Sequence, residues 1–326
     1  MYSTPPNTSH KNRFPIVAQL SILAVVMLLI YVSWLLQSIE ETVPLEPAPV
    51  EQIIQDNQQY PLVPQKVEEV SLEATAAYVW DVNLQRPLFA KNENTPLPLA
   101  SITKLMTSLL AYELVAGDET MSVPLSAIRQ EGSSGLTAGE QMELENLSQL
   151  ALVSSSNDAA YALGASVGSL LGENDPHSQF VLGMNLKADE MGLHTLDFNN
   201  TTGLDESSTT PGAVGSAKDA TFLMEHLLRN YPELLEPTRT EATLIYNTEG
   251  AYHIANNTNP VVLDIPNILG SKTGYTDLAG GNLTVAFDAG LNRPIIVTVL
   301  GSTRQARFTD VMTLIQKVQQ NLSEPK

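Results

Sequence analysis

Residues 99–113 read LASITKLMTSLLAYE. A proline-rich PLPLA stretch ends here and apolar residues begin to recur at helical spacing, at Leu105, Leu109 and Tyr112, which predicts a helix over 101–115. Ser101 and Lys104 stand at its head. Residues three apart on a helix share a face, so the Lys104 amine can lie beside the Ser101 hydroxyl and serve as its base. An S-x-x-K pattern by itself carries little weight, because the tail, Ser323-Glu324-Pro325-Lys326, fits it too. Context favours Ser101, which opens a long apolar helix. The plainer reading is a serine N-cap with a solvated lysine.

Two strands precede this helix, over 76–82 (AAYVWDV) and 87–90, joined around Asn83. Further helices are expected over 147–171, 180–191, 217–228 and 310–322, and strands over 283–287 and 294–300 (PIIVTVL). Strands at both ends with helices between them predict an α+β domain over 74–326 whose terminal strands share one sheet. No internal repeat is evident.

Two more short patterns fall inside this domain. Ser155-Ser156-Asn157 is the only S-x-N in the chain and sits between two Ala/Leu-rich stretches. Taken alone it reads as a helix-breaking turn or cap. Lys272-Thr273-Gly274 occurs once, in LGSKTGYT. It fails as a phosphate loop because Ser271, not glycine, precedes the lysine; its plain reading is a β-turn. A rival nucleophile is Ser166 in Gly164-Ala165-Ser166-Val167-Gly168. A nucleophile elbow needs a strand before the serine, and NDAAYAL is helical in character, so Ser166 is expected to pack within a helix.

The chain has 326 residues and a net charge of -19. So acidic a protein repels phosphate backbones, which argues against nucleic-acid binding. It has no cysteine, which excludes disulfides, thiolate metal sites and cysteine nucleophiles. The five histidines, at 10, 177, 194, 226 and 253, show no H-E-x-x-H or close pairing. His253 is the one most suited to a role, with a surface or core position the plainer expectation.

Residues 14–39 carry no charge. About twenty apolar residues at ~1.5 Å each span the ~30 Å hydrocarbon layer. Lys11 and Arg13 precede the run; Glu40, Glu41, Glu46 and Glu51 follow it. This asymmetry predicts a cytoplasmic tail (1–13), a transmembrane anchor (14–39) and an external domain. The run exceeds the ~7–15 residues of a signal-peptide core. Residues 40–73, rich in Pro, Glu and Gln, read as an extended linker.

Together, S-x-x-K, S-x-N and K-T-G in this order resemble the penicillin-recognising serine enzymes. The flanking text, LASITKLMTSLLAYE, LVSSSNDAAYAL, MNLKADEMGLHTLDFNNTTGLD and GSKTGYTDLAGGNLTVA, is similar to the D-alanyl-D-alanine carboxypeptidases among the low-molecular-mass penicillin-binding proteins, over about residues 74–322. The resemblance implies a five-stranded antiparallel sheet with flanking helices, an all-helical lobe beside it, and the site between them. It also implies a bacterial envelope enzyme, acting on peptidoglycan stem peptides and acylated by β-lactams, with no metal or organic cofactor.

By the same resemblance, Ser101 attacks the carbonyl between two terminal D-Ala residues. Lys104 takes its proton and must therefore be neutral, which for a drop from ~10.4 to ~7 asks about 4.6 kcal/mol. Desolvation and the nearby cation Lys272 can supply that. Ser155 relays the proton to the leaving amine, and Asn157 holds the acyl amide. The backbone N–H groups of Ser101 and Tyr275, which follows Gly274, form the oxyanion hole. Thr273 binds the substrate carboxylate, assisted by Arg307, with Arg304 as an alternative. Two departures stand out. Ser156 occupies a position where the family often has Gly or Ala. Many relatives also continue into a β-rich domain and a C-terminal anchor, whereas this sequence ends at Lys326, which leaves attachment to the N-terminal run. A DD-endopeptidase acting on cross-links and a catalytically weak wall-binding protein remain as alternatives. A class A β-lactamase fits less well, because no E-x-x-L-N follows the S-x-N.

Overall fold

The computed structural model describes residues 70–323, except 133–134 and 173–174, together with Met27. Apart from Met27, the predicted tail, the anchor and the linker up to residue 69 lie outside the described residues. Among the described residues no helix is long and apolar enough to cross a membrane. The chain divides into two units, Met1–Leu62 and Val63–Lys326; the second carries the fold.

In chain order, β1 (Ala76–Asp81) and β2 (Arg86–Lys91) form a hairpin, and β3 (Leu97–Pro98) leads into a 3₁₀ turn (Ala100–Thr103) and α1 (Lys104–Leu114). Next come β4 (Thr120–Ser122), β5 (Gln141–Glu143), α2 (Leu144–Val153), α3 (Asn157–Leu171) and α4 (Pro176–Glu190). They are followed by β6 (Asp197–Phe198), β7 (Ala213–Gly215), α5 (Ala217–Asn230) and α6 (Pro232–Leu235). The hairpin of β8 (Ala242–Tyr246) and β9 (Tyr252–Asn256) precedes β10 (Ile268–Thr276), β11 (Gly280–Asp288), β12 (Pro294–Ser302) and the closing α7 (Ala306–Ser323).

The main sheet has five strands in the order β10-β11-β12-β1-β2, every neighbouring pair antiparallel. The first and last strands do share it: β1 pairs β12, with Ala76 opposite Leu300 and Asp81 opposite Ile295. Both faces are covered. Ala76, Tyr78 and Trp80 join a core with α1 and α5, whereas Ala77 and Val79 join a second core with Phe308, Val311, Leu314 and Ile315 of α7. Burial on both sides explains why β1 reads as an apolar run and not as an alternation. The sequence of β10, ILGSKTGYT, is too glycine-rich and polar to announce a strand. Pairing with β11 forms it, at the sheet edge, so the expected K-T-G turn is a strand instead.

The single helix expected over 147–171 is two, α2 and α3. The chain breaks at Ser154-Ser155-Ser156, where Ser155 takes a left-handed φ of 59° and the Ser156 hydroxyl caps α3 by accepting from Ala159 N at 3.0 Å. Likewise α4 begins at Pro176, capped by Asp175, earlier than the periodicity suggested, because proline suits the first helical turn. Ser166 lies inside α3 with its hydroxyl on the Ser122 carbonyl (3.1 Å). No strand precedes it, so the elbow geometry is absent.

Ser101 sits in the 3₁₀ turn and not in α1 itself. This turn starts from a left-handed Ala100 (φ 48°), and Thr103 Oγ1 closes it onto the Ala100 carbonyl at 2.7 Å. The loop 199–206 presses against it at Gly203, whose φ is 77° and where a Cβ would lie 1.9 Å from the Ala100 oxygen. Only glycine fits there. Gly203→Ala should therefore cost at least ~2 kcal/mol in urea unfolding, from the left-handed backbone and the overlap together. A loss below about 0.5 kcal/mol would show that the contact is not a constraint.

Candidate active site

Residues i and i+3 nearly eclipse on a 3₁₀ turn, and Lys104 Nζ accordingly lies 2.9 Å from Ser101 Oγ. The same nitrogen donates to Asn157 Oδ1 at 2.7 Å and to the Thr202 carbonyl at 2.6 Å. The side chain is 0% exposed. None of the three acceptors is charged, so among the described residues no hydrogen-bond partner compensates an ammonium ion here. Burial first, and the nearby Lys272 second, hold the Lys104 amine well below the ordinary lysine range.

Lys272, 1% exposed on β10, donates to Ser155 Oγ at 2.9 Å and to the Thr273 carbonyl at 3.0 Å. Its acceptors are neutral too. Burial and then the Arg307 guanidinium push it down to about 7. The break after α2 thus does two jobs. Ser156 ends one helix and caps the next, while Ser155 faces one lysine and Asn157 the other. Asn157 Nδ2 donates to the Glu131 carbonyl at 2.6 Å, which fixes the amide's orientation.

The glycine of K-T-G lets β10 approach the serine turn. A Cβ on Gly274 would lie 2.9 Å from the Leu99 oxygen and 3.2 Å from the Ser101 nitrogen. The backbone around Tyr275 therefore runs beside the Ser101 N–H, as an oxyanion hole requires. The Thr273 hydroxyl, almost buried, bonds Thr258 Oγ1. Arg307, at the start of α7, reaches back to the Gly274 carbonyl through Nη1. Its Nε has no partner among the described residues, so the guanidinium keeps donor capacity beside the motif. Burial, then Arg304, lower Arg307 to about 10. Arg304 sits 4.9 Å over the exposed Tyr275 ring. The nine site residues that the resemblance implied, Ser101, Lys104, Ser155, Asn157, Lys272 to Tyr275 and Arg307, thus come together at one seam between the sheet edge and the helical lobe, whereas Ser166 lies apart.

Sequence reasoning missed the contributions of the backbone. The Thr202 and Glu131 carbonyls orient Lys104 and Asn157, and a carbonyl leaves no residue-type signal. Thr258 was missed as well; its only hint is its place in a polar NNTN run. His253, the histidine most suited to a role, pairs instead with Glu140 at 2.6 Å and braces the β8–β9 hairpin.

The profile of the D-alanyl-D-alanine carboxypeptidase family of peptidases matches residues 63–304. The D-alanyl-D-alanine carboxypeptidase DacF of Bacillus subtilis is 32% identical over 257 residues, covering 77% of this chain. The chain spans 63% of that relative's length. A D-alanyl-D-alanine endopeptidase of Pseudomonas aeruginosa is 30% identical over 252 residues, covering 74% of this chain and 76% of its own. Among solved structures, a penicillin-binding protein from Listeria monocytogenes in its ampicillin-bound form is 27% identical, with a TM-score of 0.63 over 77% of this chain and 98% of that one. A Streptomyces DD-transpeptidase, 22% identical, shares the fold with a TM-score of 0.69, over 77% of this chain and 99% of that one. Five antiparallel strands with a helical lobe, and three motifs meeting at one serine, place the chain in the D-alanyl-D-alanine carboxypeptidase family of serine peptidases.

Proposed function

We propose that this protein is a serine-type D-Ala-D-Ala carboxypeptidase that removes the terminal D-Ala from peptidoglycan stem peptides. The observation that carries the reading is a serine hydroxyl 2.9 Å from a fully buried lysine amine that has only neutral partners. The neutral Lys104 accepts the Ser101 proton as Oγ attacks the carbonyl between the two D-Ala residues. The developing oxyanion lies against the N–H groups of Ser101 and Tyr275. Lys104 gives the Ser101 proton up through Ser155, which is hydrogen-bonded to Lys272, to the leaving D-Ala amine as the C–N bond breaks, so that Lys104 is neutral again. Water then adds to the acyl-enzyme, Lys104 takes its proton, and the same proton passes to Ser101 Oγ as the C–O bond breaks and Ser101 is released. Asn157 positions the acyl amide. Thr273 and Arg307 bind the terminal carboxylate, supported by donor capacity next to Gly274. β-Lactams, which mimic the scissile amide, acylate the same serine. Membrane attachment through residues 14–39, with the domain outside and the N-terminus in the cytoplasm, is proposed from the uncharged run and its flanking charges alone.

A second reading has a specific support: the Pseudomonas aeruginosa relative is an endopeptidase by name. The two reactions share the site and differ in the leaving group.

Penicillin should add one covalent adduct, on Ser101, found by peptide mass spectrometry and lost in Ser101→Ala. The protein should also release free D-Ala from a pentapeptide muropeptide. An adduct on Ser166, or none, would refute the mechanism. Cleavage of cross-linked dimers without D-Ala release would select the endopeptidase, and binding to sacculi with neither product the wall-binding alternative. The full-length protein should fractionate with membranes and keep its N-terminal segment. A soluble protein whose N-terminus begins between residues 37 and 50 would mean that the run is a cleaved signal.

A further inference from the structure

Lys104 can act as a base only if its lone pair faces Ser101, and burial alone does not turn it there. An ammonium group that loses one of its three protons keeps two N–H donors and gains a lone pair. Lys104 Nζ lies within hydrogen-bond distance of three oxygens, Ser101 Oγ, Asn157 Oδ1 and the Thr202 carbonyl. With its two N–H groups given to Asn157 and Thr202, the lone pair is left for the Ser101 hydroxyl. The Glu131 carbonyl fixes the Asn157 amide. The Thr202 carbonyl needs its own fixing, because a main-chain oxygen points wherever its peptide plane points.

That plane belongs to the irregular segment between β6 and β7. Thr202 is buried, and a buried segment without helix or strand bonds relies on side chains to satisfy its backbone. Asn200 supplies them. Its Oδ1 accepts from Gly203 N at 2.7 Å, from Thr202 N at 3.1 Å and from Thr202 Oγ1 at 3.0 Å. Its Nδ2 donates to the Leu204 carbonyl at 3.0 Å and to Glu206 Oε1. Donors gathered on one side and acceptors on the other leave a single orientation for the amide.

The Gly203 N–H and the Thr202 carbonyl are the two ends of one peptide group. The peptide is trans, so the two bonds point in opposite directions. Asn200 Oδ1 holds one end of the plane, and Lys104 Nζ is bonded to the other at 2.6 Å. A hydrogen bond at the N–H also polarises the group and strengthens its oxygen as an acceptor. The segment has further ties that do not involve the Asn200 side chain. The Gly212 carbonyl accepts from Asn199 N and Asn200 N at 2.9 and 3.2 Å. The Asp205 carboxylate accepts from Thr276 Oγ1 at 2.9 Å and Leu278 N at 3.1 Å. Loss of the Asn200 amide therefore frees the Thr202–Gly203 plane while the segment stays attached.

We propose that Asn200 is a positioning residue for the acylation step: by pinning the Thr202–Gly203 peptide, it turns the lone pair of Lys104 toward Ser101. The inference rests on the reading of Lys104 as the base. Asn200 acts through the peptide and not on the substrate.

The test measures the rate constant for acylation of Ser101 by excess penicillin, on the alkaline plateau of its pH profile, where Lys104 is neutral. A variant that is merely less well folded offers fewer sites to label but keeps the rate constant of each site. Asn200→Leu should lower that rate constant about tenfold or more, the scale of a misaimed catalytic group. Asn200→Ala reads the same quantity if the leucine variant does not fold. Glu206→Ala removes only an exposed partner of Nδ2 and should change the rate constant by less than about twofold. An Asn200 variant that loses labelled sites but keeps its rate constant would overturn the proposal. So would equal slowing in Glu206→Ala, because general loosening of the segment would then explain the effect. Acylation of Lys104→Ala at the unmodified rate would instead remove Lys104 as the base, and the role of Asn200 with it.

Discussion

Two lysine amines lie almost wholly out of water a few ångströms from two serines, and neither has an anionic hydrogen-bond partner. A buried ammonium ion without a counter-charge is costly enough that the group gives up its proton instead. In the proposed mechanism, nucleophile activation follows from that constraint. Lys104 is held toward the amine form by burial, reinforced by Lys272, and Lys272 by burial and Arg307. The three cations depress one another in series, from α7 through β10 to α1. The stability consequence has a definite sign. The unfolded chain binds more protons than the folded one between about 7, the folded value for Lys272, and 10.5, its ordinary value. The contribution of Lys272 therefore favours the folded state increasingly as pH rises through that window, and costs most below it.

The rest of the fold can be understood as what is needed to keep these amines dry and aimed. The sheet edge brings Lys272 and the helical lobe brings Lys104, and neither body alone closes the seam. Two of the eight left-handed non-glycine residues among those described lie where they meet. Ala100 and Ser155, both non-glycine, hold left-handed backbones at the two serine-bearing turns. Such conformations persist only where surrounding contacts impose them. At Ala100 the contacts are the Thr103 hydroxyl and the loop at Gly203. At Ser155 they are the capped start of α3 and the Lys272 bond.

The candidate site was legible in the sequence because it is written in side chains at fixed spacing. S-x-x-K puts a base over its serine on either an α or a 3₁₀ turn, so misjudging which one did not matter. The S-x-N turn could be read both as a helix break and as part of a site: Ser156 caps α3, while Ser155 bonds Lys272 and Asn157 bonds Lys104. Local pattern failed at β10, whose glycines and polar residues look like a turn; it is a strand only because β11 pairs with it along its length. The contact between Tyr161 of α3 and His177 of α4, whose rings stack 4.4 Å apart, was also invisible, because nothing local marks the two as neighbours.

The central claim is that Lys104 is a neutral amine because the fold buries it next to another cation. Its protonation can be followed directly by nuclear magnetic resonance of labelled lysine side chains across a pH titration of the folded protein, with Lys104→Arg used to assign the signal. The account predicts that the Lys104 signal shifts well below the ordinary lysine value of 10.5, and that Lys272→Gln moves the transition upward, partway back. A Lys104 that stays protonated up to its ordinary value would contradict the account, because Ser101 would then have no base.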